Sequence, residues 1–312
     1  MNGKQSFINM LEKAKIGLAN PELFGRAINR LYYTRLNSRD YNTAGENFIE
    51  RDWDNLVILD GCRYDTFEEE STLPGELSTV ISRGSMTVEF LEGNITDESM
   101  LDTVYITGNG QFYHNSEDLS ASFYEVENVW SDSRFWNEEN HTVLPETMAE
   151  RGLEAAEQYP NKRLIVHFIQ PHYPFVDSEI EIDDAFDPET PGFWMRLLRG
   201  KVDVDEDDVR EAYQNNLRLA LPHVETLLTE LPGKTVVTSD HGNMLGEKVP
   251  PIPVRDWGHP RGIYTEELVK VPWLEYQNGE RKEISAGSSA HEGAEIDDED
   301  VEAHLKELGY LS

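Results

Sequence analysis

The stretch TVVTSDHGNMLGE, residues 235–247, joins a short β-prone run, Thr235–Thr238, to an acid, an imidazole and a glycine, Asp240, His241 and Gly242. A strand buried on both faces reads as such an unbroken apolar run, the mark of a parallel sheet covered by helices on either side. In an open sheet of this kind, ligands bind just beyond the carboxyl ends of the strands. An Asp-His placed there is either a turn-forming pair or part of a site.

The pattern recurs outward from this point. In NLVILDGCRYD (55–65) the strand Asn55–Leu59 ends at Asp60. In GELSTVISRGSMTVEF (75–90) a strand near Leu77–Ser82 is followed, across Gly84, by Ser85 and a short helix. In KRLIVHFIQPHYPF (162–175) a strand near Leu164–Ile169 precedes His172, and a further strand is expected near Thr103–Ile106. Helical spacing of apolar residues runs through 144–159 and 206–231, the latter with a bend expected at Pro222. Strands alternating with helices predict an α/β fold, a three-layer sandwich with a mainly parallel central sheet. Residues 1–50 are expected as an N-terminal helical arm and 51–282 as the main domain. Residues 283–312 are expected as an acidic linker and a C-terminal helix capped by Asp300.

The 312 residues carry 60 Asp+Glu against 27 Lys+Arg, a formal net charge of -33. Such a surface repels nucleic acid, so no nucleic-acid partner is expected. The acidity points to a salt-adapted source, a haloarchaeon, where self-repulsion is screened. The first 50 residues depart from this with Lys13, Lys15, Arg26, Arg30, Arg35 and Arg39. They read as an arm touching an anionic partner or, preferably, as a helical pair packed on the domain. With no apolar run of about 18 residues, no transmembrane helix is expected. The start lacks the apolar stretch of a secretory signal, so a cytoplasmic location is expected. The single cysteine, Cys62, excludes an intrachain disulfide and a cysteine-based zinc site.

Asp60, Ser85, His172, Asp240 and His241 all follow strands, so the topology gathers them at one end of the sheet. Carboxylates, imidazoles and a hydroxyl form a mixed O/N set suited to a divalent cation such as Mn²⁺, Mg²⁺, Ca²⁺ or Zn²⁺. Each residue alone has an ordinary reading, a helix cap or turn for the acids; the joint placement is the signal. His167, between Val166 and Phe168, reads as a core histidine or a support for the site.

These motifs resemble the sulfatase branch of the alkaline phosphatase superfamily over about residues 53–275. The resemblance rests on NLVILDGCRYD, SRGSMTVEF (82–90), HFIQPHYPF (167–175), VVTSDHGNMLGE (236–247) and WGHPRGIYTEELVKVPWL (257–274), with TSDHG followed by Leu-Gly-Glu the most specific piece. The ending LKELGYL is also similar to that of many such chains. The resemblance implies that Asp60, Asp240 and His241 hold a metal together with the nucleophile. The nucleophile sits at a helix N-terminus, where backbone N–H groups favour anions. Ser85, after Gly84, fits best; Thr87 is second, or else a helix cap. His172 and His259 then bind substrate oxygens or protonate the leaving group.

Three departures qualify the resemblance. The sulfatase Cys-x-Pro-Ser-Arg signature is absent, and Cys62 stands without it, which favours a hydroxyl nucleophile. No Asp stands four residues before a His in HFIQPHYPF, which favours one metal over two. Gly61, rather than a second Asp, follows Asp60. The expected activity is metal-dependent hydrolysis of a phosphate or sulfate ester on a small molecule, glycan or lipid. The alternatives are a phosphotransferase moving a head group onto a glycan or lipid, and a non-catalytic binding protein. Arg63 and Arg83 are candidates to neutralise the anion, or are surface ion pairs. Phe112, Tyr113, Trp130, Trp136, Phe193 and Trp194 stack on a sugar or pack the loops.

Overall fold

The computed structural model describes residues 21–36, 38–178, 180 and 192–288. The first expected helix of the N-terminal pair, the acidic tail with its helix, and much of the loop after Asp177 lie outside the described residues. The central sheet uses β1 (Asn55–Leu59), β2 (Glu76–Ile81), β3 (Ser99–Thr107), β4 (Ser122–Asn128), β7 (Arg163–Phe168), β8 (Gly233–Thr238) and β11 (Lys270–Asn278). Their order is β2-β11-β8-β1-β7-β3-β4. The β1–β7, β1–β8, β3–β4 and β3–β7 pairs are parallel, and β11 runs antiparallel to β8 and β2. The short strands β5 (Trp136–Asn137) and β6 (Thr142–Val143) pair with each other, as do β9 (Met244–Val249) and β10 (Val254–Gly258).

All five residues of β1 are buried, because successive side chains enter opposite apolar layers. Val57 and Leu59 pack with Met148 and Ala149 of the helix Pro145–Gln158 and with Leu217, Val224 and Leu228 of the helix Glu206–Glu230. Leu56 and Ile58 pack with Phe90, Leu91 and Ile95 of the helix Thr87–Ile95. Phe48 and Trp53 join that second layer, so the chain just before β1 packs as part of the sheet's own core. Full burial of each such aliphatic or aromatic side chain contributes about 1.5–3 kcal/mol. This is a three-layer α/β sandwich with a mainly parallel sheet.

The long helix continues through Pro222 to Glu230, and Asp205 caps it by accepting from Asp207 N. Strand β2 is an edge strand exposed at five of its six residues, so its apolar signal was the faintest. The helix Pro21–Leu31 packs on the β9–β10 hairpin. Asn29 donates to Val249 O and Ile252 O, and Arg26 donates to Arg255 O.

Candidate active site

Each carboxyl end on one side of the sheet delivers a polar side chain. Asp60 follows β1, Asp240 and His241 follow β8, and Thr87 begins the helix after β2. All four are nearly sealed from solvent, at 0–1% exposure. Asp240 Oδ1 accepts from Gly61 N at 3.0 Å and from His241 N at 2.9 Å, which fixes the carboxylate and turns Oδ2 inward. Asp240 Oδ2 is buried without a hydrogen bond. Gly61 takes φ +67, a left-handed conformation that favours glycine, and a Cβ there would touch His241 and His172. The backbone itself thus selects Gly61 where a second Asp was noted as missing.

His241 Nδ1 lies 2.7 Å from Gly242 O, so Nδ1 carries the proton and Nε2 presents a lone pair. That lone pair faces Asp60 Oδ1 and Asp240 Oδ2, each at 3.4 Å. One ligand atom from each of the three residues lies within 4.8 Å of the others. A lone pair opposed to two carboxylate oxygens in a dry pocket calls for a cation or a proton between them. Burial opposes a charge on His241, but Asp240 and Asp60 outweigh it and push its pKa up to about 9. Desolvation and the charge of Asp60 push Asp240 up. Asp60 is held low against its own desolvation by His172 and His241. The donor set and the orphaned oxygen fit a divalent metal ion.

Thr87 Oγ1 lies 3.3 Å from His241 Nε2 and 3.5 Å from Asp60 Oδ2. Ser85 Oγ is elsewhere. It donates to Glu89 Oε2 at 2.6 Å, lies 3.1 Å from Pro260 O and accepts from Gly262 N at 3.0 Å. Glu89 also accepts from Ser85 N and from Tyr264 Oη, and burial lifts its carboxyl above the ordinary range. The two hydroxyls therefore sit in different surroundings: Ser85 clamps the helix start to the loop after His259, and Thr87 meets Asp60 and His241. Thr87 occupies the first helical position, after Met86, and its side chain makes no cap bond, so the helix-cap reading does not hold.

His172 and His259 meet Nε2 to Nε2 at 2.8 Å, and the His259 ring lies tilted against that of His241, with centroids 4.8 Å apart. His172 Nδ1 donates to Tyr173 O, so the proton between the two rings belongs to His259 Nε2. Burial depresses both pKa values, helped at His259 by the neighbouring His172 and His241. His167 is a buried neighbour of the cluster, with Nδ1 2.8 Å from Tyr105 Oη and Nε2 3.8 Å from Asp240 Oδ2.

Neither a family model nor a curated protein matches this sequence. Among solved structures the chain is similar to the periplasmic domain of EcEptC from Escherichia coli in complex with Zn, at 15% identity and TM-score 0.47, covering 75% of each chain. It is similar to lipooligosaccharide phosphoethanolamine transferase A, an integral membrane protein of Neisseria meningitidis, at 13% identity and TM-score 0.49, covering 88% of this chain and 58% of that one. It is also similar to BT1596, a 2-O GAG sulfatase, at 12% identity and TM-score 0.39, covering 73% and 64%. At such identities and scores, the reading of the site rests on this chain's own residues.

Sequence reasoning missed Asn109, which follows β3 and donates to Asp60 Oδ2 at 2.5 Å and to Thr87 Oγ1 at 3.4 Å. Its signal was available: a polar residue just past a strand end, in GNG (108–110). Also missed was Asn216, whose amide donates to the carbonyls of Pro171, His172 and Pro174 and accepts from Val176 N. It holds the His172 loop, and nothing in an amphipathic helix marks it. Two cations expected near the anion are engaged elsewhere. Arg63 is pinned between Asp65 and Glu247. Arg83 donates to Gly93 O and Gly45 O. Cys62 is fully buried and its thiol is pushed up by desolvation, as suits an inert core residue. Phe112, Trp130, Trp136 and Phe193 are packed in the apolar layers, Tyr113 packs against Trp130, and Trp194 packs against Phe193. Phe112, Trp130, Trp136 and Phe193 are too buried to stack on a ligand, while Tyr113 and Trp194 stay half-exposed.

Proposed function

We propose that this chain cleaves a phosphate or sulfate ester through Thr87, with Asp60, Asp240 and His241 holding one divalent metal ion. The observation that carries this reading is the placement of Thr87 Oγ1 against His241 Nε2 and Asp60 at the start of a helix. The bound metal would lower the pKa of the hydroxyl and draw charge from the ester oxygens. Asn109 orients the Thr87 oxygen and steadies Asp60. The N–H groups at the helix start favour the anionic group as it arrives. Thr87 Oγ1 bonds to phosphorus or sulfur as the bond to the leaving oxygen breaks. The proton lost by Thr87 ends on that leaving oxygen, with the His172–His259 pair as the carrier. Water then reverses the step, releases the group and restores the hydroxyl.

An acceptor alcohol in place of water would make the same chemistry a transfer. The burial of the reacting groups, which restrains water, favours keeping this second reading. A non-catalytic binding role would leave the oriented Thr87–Asn109–Asp60 contacts without a purpose. The test is a panel of aryl phosphate mono- and diesters and aryl sulfates, assayed with each of Mn²⁺, Mg²⁺, Ca²⁺ and Zn²⁺ across salt concentrations. Product analysis with and without an added alcohol separates hydrolysis from transfer. Mass spectrometry of the quenched enzyme should find the group on the peptide holding Thr87. No turnover of any ester with any metal would overturn the proposal.

A further inference from the structure

The helix Pro21–Leu31 and the turns Tyr32–Leu36 leave large apolar side chains in solvent. Phe24 is 54% exposed, Leu31 57% and Leu36 77%, with Tyr32 and Ile252 at 37% beside them. Phe24, Ala27 and Leu31 follow one another at i, i+3 and i+7, so they form one stripe along the helix. The opposite face is taken. Gly25 lies against Val254 and Ile252, and Asn29 is buried on the hairpin. The stripe is therefore turned outward by construction.

Charge is segregated in the same place. Residues 21–39 hold four Arg and one Glu, a net +3, so the remaining residues carry -36 of the total -33. Arg30, Arg35 and Arg39 are exposed alongside the apolar stripe. An apolar face flanked by arginines is the composition of a helix that lies in a lipid headgroup layer. An acidic surface is repelled by anionic lipid, whereas the basic balance of this arm lets it approach.

The arm also adjoins the candidate site. Its hairpin begins at Met244, three residues after His241, and ends at Gly258, next to His259. Tyr33 packs with Met244, Val249, Ile263 and Leu268, alongside the loop that Ser85 clamps. We infer that the exposed side chains of Phe24, Leu31 and Leu36, with Arg30, Arg35 and Arg39, dock this chain on an anionic lipid surface and so present the site to esters carried on lipid headgroups. The docking stands by itself; only the choice of substrate rests on the ester-cleaving reading.

Sedimentation with phosphatidylcholine vesicles, with and without phosphatidylglycerol, tests it at low and molar salt. The full chain should partition onto the phosphatidylglycerol vesicles and much less onto phosphatidylcholine alone. Phe24→Ser/Leu31→Ser should lose most of the binding at both salts. Arg30→Ser/Arg35→Ser should lose about fivefold per arginine at low salt, and little at molar salt where the charge is screened. Both variants should keep the unfolding midpoint, and any turnover of a soluble aryl ester, because none of these residues touches the site. Absence of binding, or binding unchanged in both variants, overturns the docking, whatever the activity. Binding with no ester turnover would leave the docking standing and remove the substrate assignment alone.

Discussion

Thr87 and Ser85 are two positions apart, yet their oxygens belong to different systems. Thr87 Oγ1 faces Asp60 and His241, while Ser85 Oγ is taken up by Glu89 and the 260–262 loop. Thr87→Ala should lower kcat by about 10⁴- to 10⁶-fold, the scale seen when a nucleophile is removed, and Thr87→Ser should restore part of it. Ser85→Ala should still form the covalent adduct. It should cost about 1–3 kcal/mol of stability, because Glu89 is left buried with fewer partners. Full activity in Thr87→Ala, with loss of the adduct in Ser85→Ala, would return the nucleophile to Ser85. Asp240→Asn separates fold from metal. The carboxamide oxygen can still accept from Gly61 and His241, but an N–H group replaces the orphaned Oδ2. Calorimetric titration with Mn²⁺ should show affinity weaker by at least about 100-fold, beyond the loss of an outer partner. Unchanged affinity and stoichiometry would mean that the ion is held elsewhere.

At the scale of the element, the helix Glu206–Glu230 does more than cover the sheet. Asn216 replaces an apolar contact on its buried face with bonds to three carbonyls and one N–H of the His172 loop. Asn216→Ala should destabilise the chain by about 2–4 kcal/mol, since several buried groups lose partners at once. Turnover should fall as well, because the His172–His259 pair loses its fixed geometry. A denaturant midpoint equal to that of the parent would refute this latch. The same helix shows what sequence can convey. Its periodic apolar face and the unbroken run of β1 were legible, because burial on one or two faces dictates residue type at every position. Asp60, Asp240 and His241 were legible as well, since topology alone carries them to one end of the sheet. The choice between Ser85 and Thr87 was not, because a strand-to-helix turn fixes which hydroxyl faces inward only through its detailed path. Nor were β4, a mostly half-buried edge strand, and the β9–β10 hairpin, which pairs outside the central sheet.

For the molecule as a whole, the net charge of -33 is the dominant long-range quantity. Local pairs temper it little. Arg281 meets Asp52, and Lys270 meets Glu266, but exposed pairs of this sort are worth about 0–1 kcal/mol each. The remaining acids repel one another over the Debye length, about 3 Å at 1 M salt and about 30 Å at 0.01 M. Unfolding separates the charges, so dilution should favour the unfolded chain. Surface ion pairs respond in the opposite sense and strengthen as salt falls, and the sign of the net response shows which effect wins. With acids outnumbering bases by 33, repulsion should prevail: the thermal midpoint should rise steadily with potassium chloride, at constant saturating metal. Sucrose, which does not screen charge, should not reproduce the rise at matched osmolarity. Replacing a few exposed acids remote from the site, such as Glu68, Glu69 and Glu150, with glutamine should raise the midpoint in dilute buffer and leave it nearly unchanged in molar salt. A midpoint that stays flat or falls as salt is added would show that ion pairing, not repulsion, governs the stability of this surface.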